Sequence, residues 1–273
     1  MINRAWFYPV LQICLASCSL PVLGVAATFG NEVICASPDG ELIATAFEGG
    51  RIELRSTSVF DEVMMVQHEG VPSFDARSAV SWMPTFIFSP DGRVLASACG
   101  LLPVTLWDTK TGAKLRDLGS GGDGRRLLFS ADGSRLLTYG LINKVGHQRL
   151  SLWDVNSGKQ LRQLAVDNSI ADASWDRESF RPRFAKSGPM LGIEVINGAN
   201  RTILIWDTLA NEQKFVVKNF PDFPSDWIIT PNGRHLLVRD YTRNGEGVKR
   251  HRLFEMSTGK VVNEWGESNA VKN

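Results

Sequence analysis

The sequence predicts an all-β protein built from about five repeated, four-stranded antiparallel sheets. Two repeated patterns and the composition support this prediction. A turn tetrapeptide, Ser37-Pro38-Asp39-Gly40, recurs as Ser89-Pro90-Asp91-Gly92 and in three looser copies. An aromatic–acidic pair follows most of these turns at a similar spacing. The 273 residues are 43% hydrophobic and 22% charged, which is typical of a globular domain and excludes disorder, collagen and coiled coil.

Each tetrapeptide is expected to close a hairpin, because proline presets φ at the first corner and glycine accepts the positive φ at the last. The looser copies are Ser130-Ala131-Asp132-Gly133, Ala185-Lys186-Ser187-Gly188 and Thr230-Pro231-Asn232-Gly233. The repeat positions assigned to these turns are Asp39, Gly40, Asp91, Gly92, Asp132, Gly133 and Gly233.

The second pattern places an aromatic residue and then an acidic one at the end of a β-prone run. Its three full copies are Trp107-Asp108, Trp153-Asp154 and Trp206-Asp207, and Phe254-Glu255 is a degenerate fourth. A turn residue follows five positions after each aromatic residue, so another hairpin is expected there. The first repeat keeps only Ile52-Glu53-Leu54-Arg55 at this place.

One unit shows how the patterns combine into a sheet. Strands are predicted at Thr85–Phe88, Val94–Ala98, Val104–Trp107 and Lys114–Leu118, separated by turn residues. Four short antiparallel strands per unit, repeated about five times, describe a β-propeller of five, or six, blades. The predicted blades cover residues 29–68, 82–118, 124–165, 179–218 and 225–266. Whether the ring closes stays open, and an open array would need a partner to cover its edges.

The recurring turn, Leu-Trp-Asp and Thr-Gly-Lys patterns resemble the WD-repeat β-propeller family over about residues 28–266. The resemblance implies that each tryptophan packs between blades and that the aspartate after it ties the turn. The sequence departs from the family because the Gly-His dipeptide that opens a blade is missing. The Asp-His-Ser-Trp hydrogen-bond set of that family is therefore expected to be incomplete.

Residues 1–27 are predicted to be an export segment and residues 28–273 the propeller. Arg4 is the only charged residue of the segment, and an apolar run with small residues follows it. Three outcomes stay open: lipidation at Cys18 in a lipobox-like Leu-Ala-Ser-Cys, cleavage after Ala27, or retention as a membrane anchor. Any membrane association is expected only through this N-terminus. The expected location is the periplasm, the cell envelope or the extracellular space.

The number and spacing of the charged and metal-ligating residues indicate no nucleic-acid-binding, metal or catalytic site. Lys plus Arg is 30 and Asp plus Glu is 29, so the basic excess of a nucleic-acid-binding protein is missing. No two of the four histidines lie within four positions of each other, and no zinc or nucleophile motif occurs. The sequence predicts no metal, no cofactor and no catalytic residue, hence a protein that is not an enzyme. For Cys35 and Cys99, two buried free thiols and one disulfide both stay open.

The insertion at residues 167–181 is the predicted interaction loop, because functional contacts concentrate on loops between rigid elements. Trp175 lies there beside Asp172, Asp176 and Arg177, which are residue types of an interface hot spot. The competing interpretation is that Trp175 covers a blade edge.

These observations predict a non-enzymatic protein-interaction platform displayed at the cell envelope, with a protein partner and no nucleic acid. A competing hypothesis is an enzymatic, cofactor-binding or ligand-binding propeller, because Thr258-Gly259-Lys260 and the similar glycine turns of other units resemble quinoprotein-type repeats. A cytoplasmic scaffold and a fragment of a longer propeller stay open as well.

Overall fold

A computed structural model describes most of the chain. The described residues are 26–29, 32–59, 63–71, 84–121, 126–141, 148–164, 180–197, 200–220, 226–240 and 249–267. They form 21 strands and one turn of 3-10 helix at Glu48–Gly50.

The strands follow the repeats in chain order, and each group of consecutive strands is one blade. Blade one contains β1 (Ala26–Phe29), β2 (Glu32–Ala36), β3 (Leu42–Phe47), β4 (Arg51–Ser56) and β5 (Val63–Gln67). Blade two contains β6 (Thr85–Phe88), β7 (Val94–Ala98), β8 (Val104–Asp108) and β9 (Lys114–Leu118). Blade three contains β10 (Arg126–Phe129), β11 (Arg135–Leu141), β12 (Gln148–Asp154) and β13 (Gln160–Leu164). Blade four contains β14 (Phe180–Phe184), β15 (Met190–Asn197), β16 (Asn200–Asp207) and β17 (Glu212–Phe220). Blade five contains β18 (Asp226–Ile229), β19 (His235–Asp240), β20 (Lys249–Glu255) and β21 (Val261–Glu267).

Within each blade, every strand pairs antiparallel with its neighbour in the chain, which confirms the predicted all-β fold of repeated sheets. Blade one differs from the prediction because it has five strands. Its extra strand β1 pairs antiparallel with β2, with Ala26 opposite Cys35 and Phe29 opposite Glu32.

The tetrapeptide turns owe their shape to one serine and one aspartate. In blade two, Ser89 Oγ donates to Asp91 Oδ1 at 2.6 Å, and the same oxygen accepts the backbone N–H of Arg93 at 3.1 Å. Gly92 has φ 71°, which L side chains rarely adopt, and its N–H donates to the Ser89 carbonyl at 2.9 Å. Blades one and three repeat this arrangement at Asp39 and Asp132. These short-range hydrogen bonds explain why the tetrapeptide recurs.

The acidic residue after each tryptophan ties the next turn. Asp108 Oδ1 accepts the backbone N–H and the hydroxyl of Thr111, both at 2.8 Å. Asp154 does the same with Ser157, and Asp207 accepts the N–H of Ala210 at 2.9 Å. The hydrogen bonds from Thr111 hold the pKa of Asp108 below its usual value. These carboxylates therefore serve the turns, as the resemblance implies.

Consecutive blades pack face to face, and alternate residues of each strand point to the two neighbours. We call the face toward the next blade the forward face and the opposite one the rear face. In blade two, Leu95 packs rearward with Leu54 of blade one, whereas Ala96 packs forward with Phe129 of blade three. Four buried clusters join blade one to two, two to three, three to four and four to five. Among the described residues, no buried cluster joins blade five to blade one.

Cys35 and Cys99 are separate buried thiols within this core. Cys35 lies on the forward face of blade one, among the residues that pack against Phe86 and Phe88. Burial raises the pKa of its thiol to about 11. The sequence left a disulfide and two thiols open, and in the structure Cys35 and Cys99 form no disulfide.

Candidate functional site

A buried hydrogen-bond network joins blade one to blade two. His68 follows β5, and its Nε2 lies 2.7 Å from Ser97 Oγ on β7. The indole Nε1 of Trp107 donates to the same Ser97 oxygen at 2.7 Å. The His68 and Trp107 rings meet edge to face with centroids 5.7 Å apart. One serine hydroxyl thus connects a histidine and a tryptophan from consecutive blades.

Sequence reasoning missed this histidine, because no Gly-His dipeptide precedes blade two. The histidine, serine and tryptophan of an Asp-His-Ser-Trp set are nevertheless present, with the histidine in His68-Glu69-Gly70. The remaining signal was positional, since a lone histidine directly after the last strand of a blade can reach the next blade. Burial lowers the pKa of His68 to about 4, so the ring is neutral near pH 7. The negative charge of Asp117 on β9 favours the charged form, but burial outweighs it.

A cavity of about 180 Å³ opens beside the network. Its walls combine charged, polar and apolar side chains, which suits a small polar molecule more than an aromatic cofactor. Two of the charges are already paired, because Lys114 Nζ lies 2.7 Å from Asp117 Oδ2. Thr105 Oγ1 donates to the second carboxylate oxygen of Asp117 at 2.8 Å. The lining residues are Gln67, His68, Glu69, Leu102, Pro103, Thr105, Trp107, Lys114 and Asp117.

The later blades keep less of the network. In blade three, Trp153 Nε1 donates to Thr138 Oγ1 at 3.0 Å, and Thr138 holds the repeat position of Ser97. In blade four that position is Ile193, which has no hydroxyl. The buried Nε1 of Trp206 has no hydrogen-bond partner among the described residues. Arg162 instead stacks on Trp206, with its guanidinium carbon 4.7 Å from the ring centroid.

Blades four and five are joined by a different polar contact. Trp227 is buried, and its Nε1 donates to Glu194 Oε2 at 3.0 Å. Arg183 lies over the ring, with its guanidinium carbon 4.9 Å from the centroid, and donates to the Trp227 carbonyl. Gly192 makes room for the indole, because a Cβ there would lie 2.7 Å from Trp227 Cζ3. A small forward residue thus matches a large rear residue.

The forward face of blade five is a surface that the described residues leave uncovered. Three repeat positions form the centre of each forward face, one on each of three consecutive strands of a blade. In blade five they are Ile228, Leu237 and Leu253. In blades one to four they are Cys35, Ala44 and Leu54; Ile87, Ala96 and Leu106; Leu128, Leu137 and Leu152; Arg183, Gly192 and Ile205.

At these positions, the side chains of blade five are more exposed than those of the preceding blades. Leu54, Leu106 and Ile205 are almost completely buried by the following blade. Ile228 is 49% exposed, and Leu253 is only partly buried. Trp265, whose ring stacks on His251 with centroids 5.4 Å apart, adds an indole that is 45% exposed on the same face. This face has the composition of an interface between blades without the covering blade.

The rear face of blade one is the second end that the described residues leave uncovered. Its strands carry Ile34, Ile43 and Met65, and Met65 is 64% exposed. A charged row crosses the face on β4, where Glu53 accepts a hydrogen bond from Arg55 at 2.8 Å and lies 3.8 Å from Arg51. Arg55 holds the position at which blades two to four have their tryptophan.

The structure places the predicted repeat positions in separate turns and interfaces, so they do not converge on one site. Cys18 and the loop residues Asp172, Trp175, Asp176 and Arg177 lie outside the described residues. Within the described ranges, no group of three or more His, Cys, Asp or Glu side chains could hold a metal ion. No helix in that part of the chain is long and apolar enough to cross a membrane.

Comparison with known proteins identifies the fold. No protein-family model matches the chain, and no curated protein matches it. Among solved structures, it is similar to a chain of the hydrazine synthase of Kuenenia stuttgartiensis, with a TM-score of 0.53 and 15% identity. That match covers 86% of this chain and 74% of the hydrazine synthase chain.

A chain of a mitotic checkpoint complex is similar with a TM-score of 0.51 and 13% identity, over 87% of this chain and 66% of that one. Both neighbours have propeller-type folds of repeated four-stranded sheets.

The prediction that this chain is not an enzyme is wrong as an inference from its fold, because a chain of an enzyme, hydrazine synthase, has a similar fold. At this identity the likeness shows the fold and assigns no reaction. The chain is a β-propeller-type protein of repeated four-stranded blades.

Proposed function

We propose that this protein is an interaction platform of propeller fold that acts at the cell envelope. The observation that carries the proposal is the forward face of blade five. It presents Ile228, Leu237 and Leu253 in the pattern of an interface between blades, and no described residue covers it. An exposed apolar sheet face of this kind is typical of a surface that binds another protein.

The rigidity of the blades favours the same function. Paired strands and bonded turns hold the exposed side chains in place before binding, so little conformational entropy is lost on association. The export features of residues 1–27 support an envelope location. The presence of a propeller chain in a mitotic checkpoint complex is an example of this fold in a protein assembly.

Site-specific photo-cross-linking in the native cells tests the proposal. A photoreactive residue at Ile228, which is exposed on the forward face of blade five, is compared with one at Leu209, an exposed leucine in a turn of blade four. Membrane and soluble fractions are analysed separately. We expect a discrete cross-linked protein from position 228 in the envelope fraction and background from position 209. Equal background at both positions, or recovery only from the cytoplasm, would contradict the proposal.

The cavity beside His68 favours a second function, the binding of a small polar ligand. Thr105 and Lys114 bring hydrogen-bonding groups to the wall of a space of about 180 Å³. Thermal-shift screening of small polar metabolites tests it. A true ligand should lose its shift in Thr105→Val and Lys114→Met and keep it in Lys110→Met, which changes an exposed lysine outside the cavity. Shifts that are equal in all three variants would exclude this site.

A further inference from the structure

Each of the two uncovered end faces has the strand register of one half of an interface between blades. Within blades one to four, every forward face meets the rear face of the next blade. Among the described residues, blade five ends the series with an unmatched forward face, and blade one begins it with an unmatched rear face. Both faces have the strand register of the buried interfaces, so one can pack on the other in the same geometry.

The side-chain sizes of the two faces are complementary. In the interface of blades four and five, the small Gly192 faces the large Trp227. At the unmatched ends the sizes are reversed. The forward face has Leu237 at the position of Gly192, and the rear face has Ile34 at the position of Trp227. A larger forward residue thus compensates for a smaller rear residue, as close packing requires.

The charges of the two faces are also complementary. The rear face of blade one has Arg51, Arg55 and Glu53 on β4, two positive charges and one negative. The described charged side chains on the forward face of blade five are two negative and one positive. Opposite charges on facing surfaces favour this pairing, and they disfavour the pairing of two rear faces. These forward-face side chains are Asp226, Arg239 and Glu255.

We infer that the forward face of blade five binds the rear face of blade one of a second copy of this protein. The inference rests on the proposed interaction function and names its partner. The contact is head to tail, so it forms a closed ring of chains or an open filament, depending on the rotation between copies. Ile228 of one copy then meets Ile34 of the second copy, as Arg183 meets Trp227 between blades four and five.

Disulfide trapping with the purified full-length chain tests the geometry. An Ile228→Cys chain is mixed with an Ile34→Cys chain under mild oxidation, and linked peptides are identified by mass spectrometry. We expect a disulfide between positions 228 and 34 of different chains in the mixture, and none between identical variants. A 228–228 link in Ile228→Cys alone would overturn the head-to-tail contact. A link within one chain of the double variant at high dilution would overturn the inference too, because the ring would close on itself.

Analytical ultracentrifugation measures the strength of self-association in the wild type and in a matched pair of variants. Wild-type protein should show concentration-dependent self-association. Leu253→Arg places a charge in the interface and should weaken association about tenfold or more. Leu209→Arg makes the same change at an exposed turn residue and should associate like the wild type. Circular dichroism confirms that both variants are folded.

The failure of this inference differs from the failure of the proposed function. A monomer at all concentrations overturns self-association. If photo-cross-linking at position 228 then still captures a different protein, the interaction platform stands with that partner. If the cross-linked product contains two copies of this chain, both proposals are supported.

Discussion

Trp107 and Trp206 occupy the same repeat position, but only Trp107 has a hydrogen-bond acceptor for its indole N–H among the described residues. Ser97 accepts the Trp107 bond at 2.7 Å, whereas Ile193 holds the serine position in the blade of Trp206. The buried N–H of Trp206 therefore lowers the stability of blade four. The same aromatic residue contributes differently to stability in different blades.

Replacement of each tryptophan by phenylalanine should expose this difference. Trp107→Phe loses indole packing and also leaves the Ser97 hydroxyl without its donor. Trp206→Phe loses packing but removes an unsatisfied group, so it should cost about 1–2 kcal/mol less in unfolding free energy. Urea denaturation of both variants measures the difference. Equal losses would show that the hydrogen bond to Ser97 contributes nothing net.

His68 should make stability depend on pH between about 4 and 6.5. Burial lowers its pKa to about 4 in the folded protein, against 6.5 for an unperturbed histidine. The unfolded chain thus binds more protons in this window, and stability falls as the pH is lowered through it. The contribution of His68 to the free energy of unfolding is present in full above pH 6.5 and amounts to at most about 3 kcal/mol. Below pH 4 this contribution is lost.

The measurement for His68 is urea denaturation from pH 4 to 7.5 in the wild type and in His68→Gln. The difference in unfolding free energy between them should change across the window, because the variant lacks the titrating ring. His235→Gln is the control, since it replaces a histidine outside the network. A wild-type pH profile that His68→Gln leaves unchanged would contradict a neutral buried His68.

Gly192 and Trp227 should behave as a coupled pair. A Cβ at Gly192 would lie 2.7 Å and 2.9 Å from two carbons of the indole, so Gly192→Ala forces the ring to move. We expect a loss of about 1–3 kcal/mol in unfolding free energy. In a Trp227→Leu background the same change should cost less, because the clashing atoms are gone. A double-mutant cycle by denaturation measures the coupling, and additive losses would contradict it.

Cys35 should react with thiol reagents only when blades one and two separate. The thiol is buried against Phe86 and Phe88, and burial raises its pKa to about 11, so little thiolate forms at pH 8. Peptide-resolved labelling with iodoacetamide should therefore find Cys35 unmodified in native buffer and modified in urea. Rapid labelling in native buffer would show that this interface opens easily.

The repeat patterns predict the parts of the fold that depend on local chemistry. Ser89, Asp91 and Gly92 form their turn through hydrogen bonds that span five residues or fewer, so the tetrapeptide indicates the turn directly. The strand at Lys114–Leu118 has the bounds that the pattern predicts. The patterns do not predict the extra strand β1, because the pairing of Ala26 with Cys35 involves a segment with the features of an export signal.

The candidate site depends on contacts that no local pattern encodes. His68 and Ser97 are 29 residues apart, and neither belongs to the turn tetrapeptides or the aromatic–acidic pairs, so only the packing of two blades joins them. The order of amino acids also does not show which apolar strand positions are covered. Leu152 and Leu253 hold the same repeat position, but Leu152 is buried and Leu253 is only partly buried.

Local chemistry along the chain sets the blades of this protein, and the packing of the blades sets which of their faces are available. Turn residues, strand alternation and the Trp-Asp pairs act over a few residues, so their effect is visible in the order of amino acids. Exposure of Ile228 and burial of Leu106 depend on whether a further sheet packs on them. That depends on the number and arrangement of blades, which is a property of the folded chain as a whole.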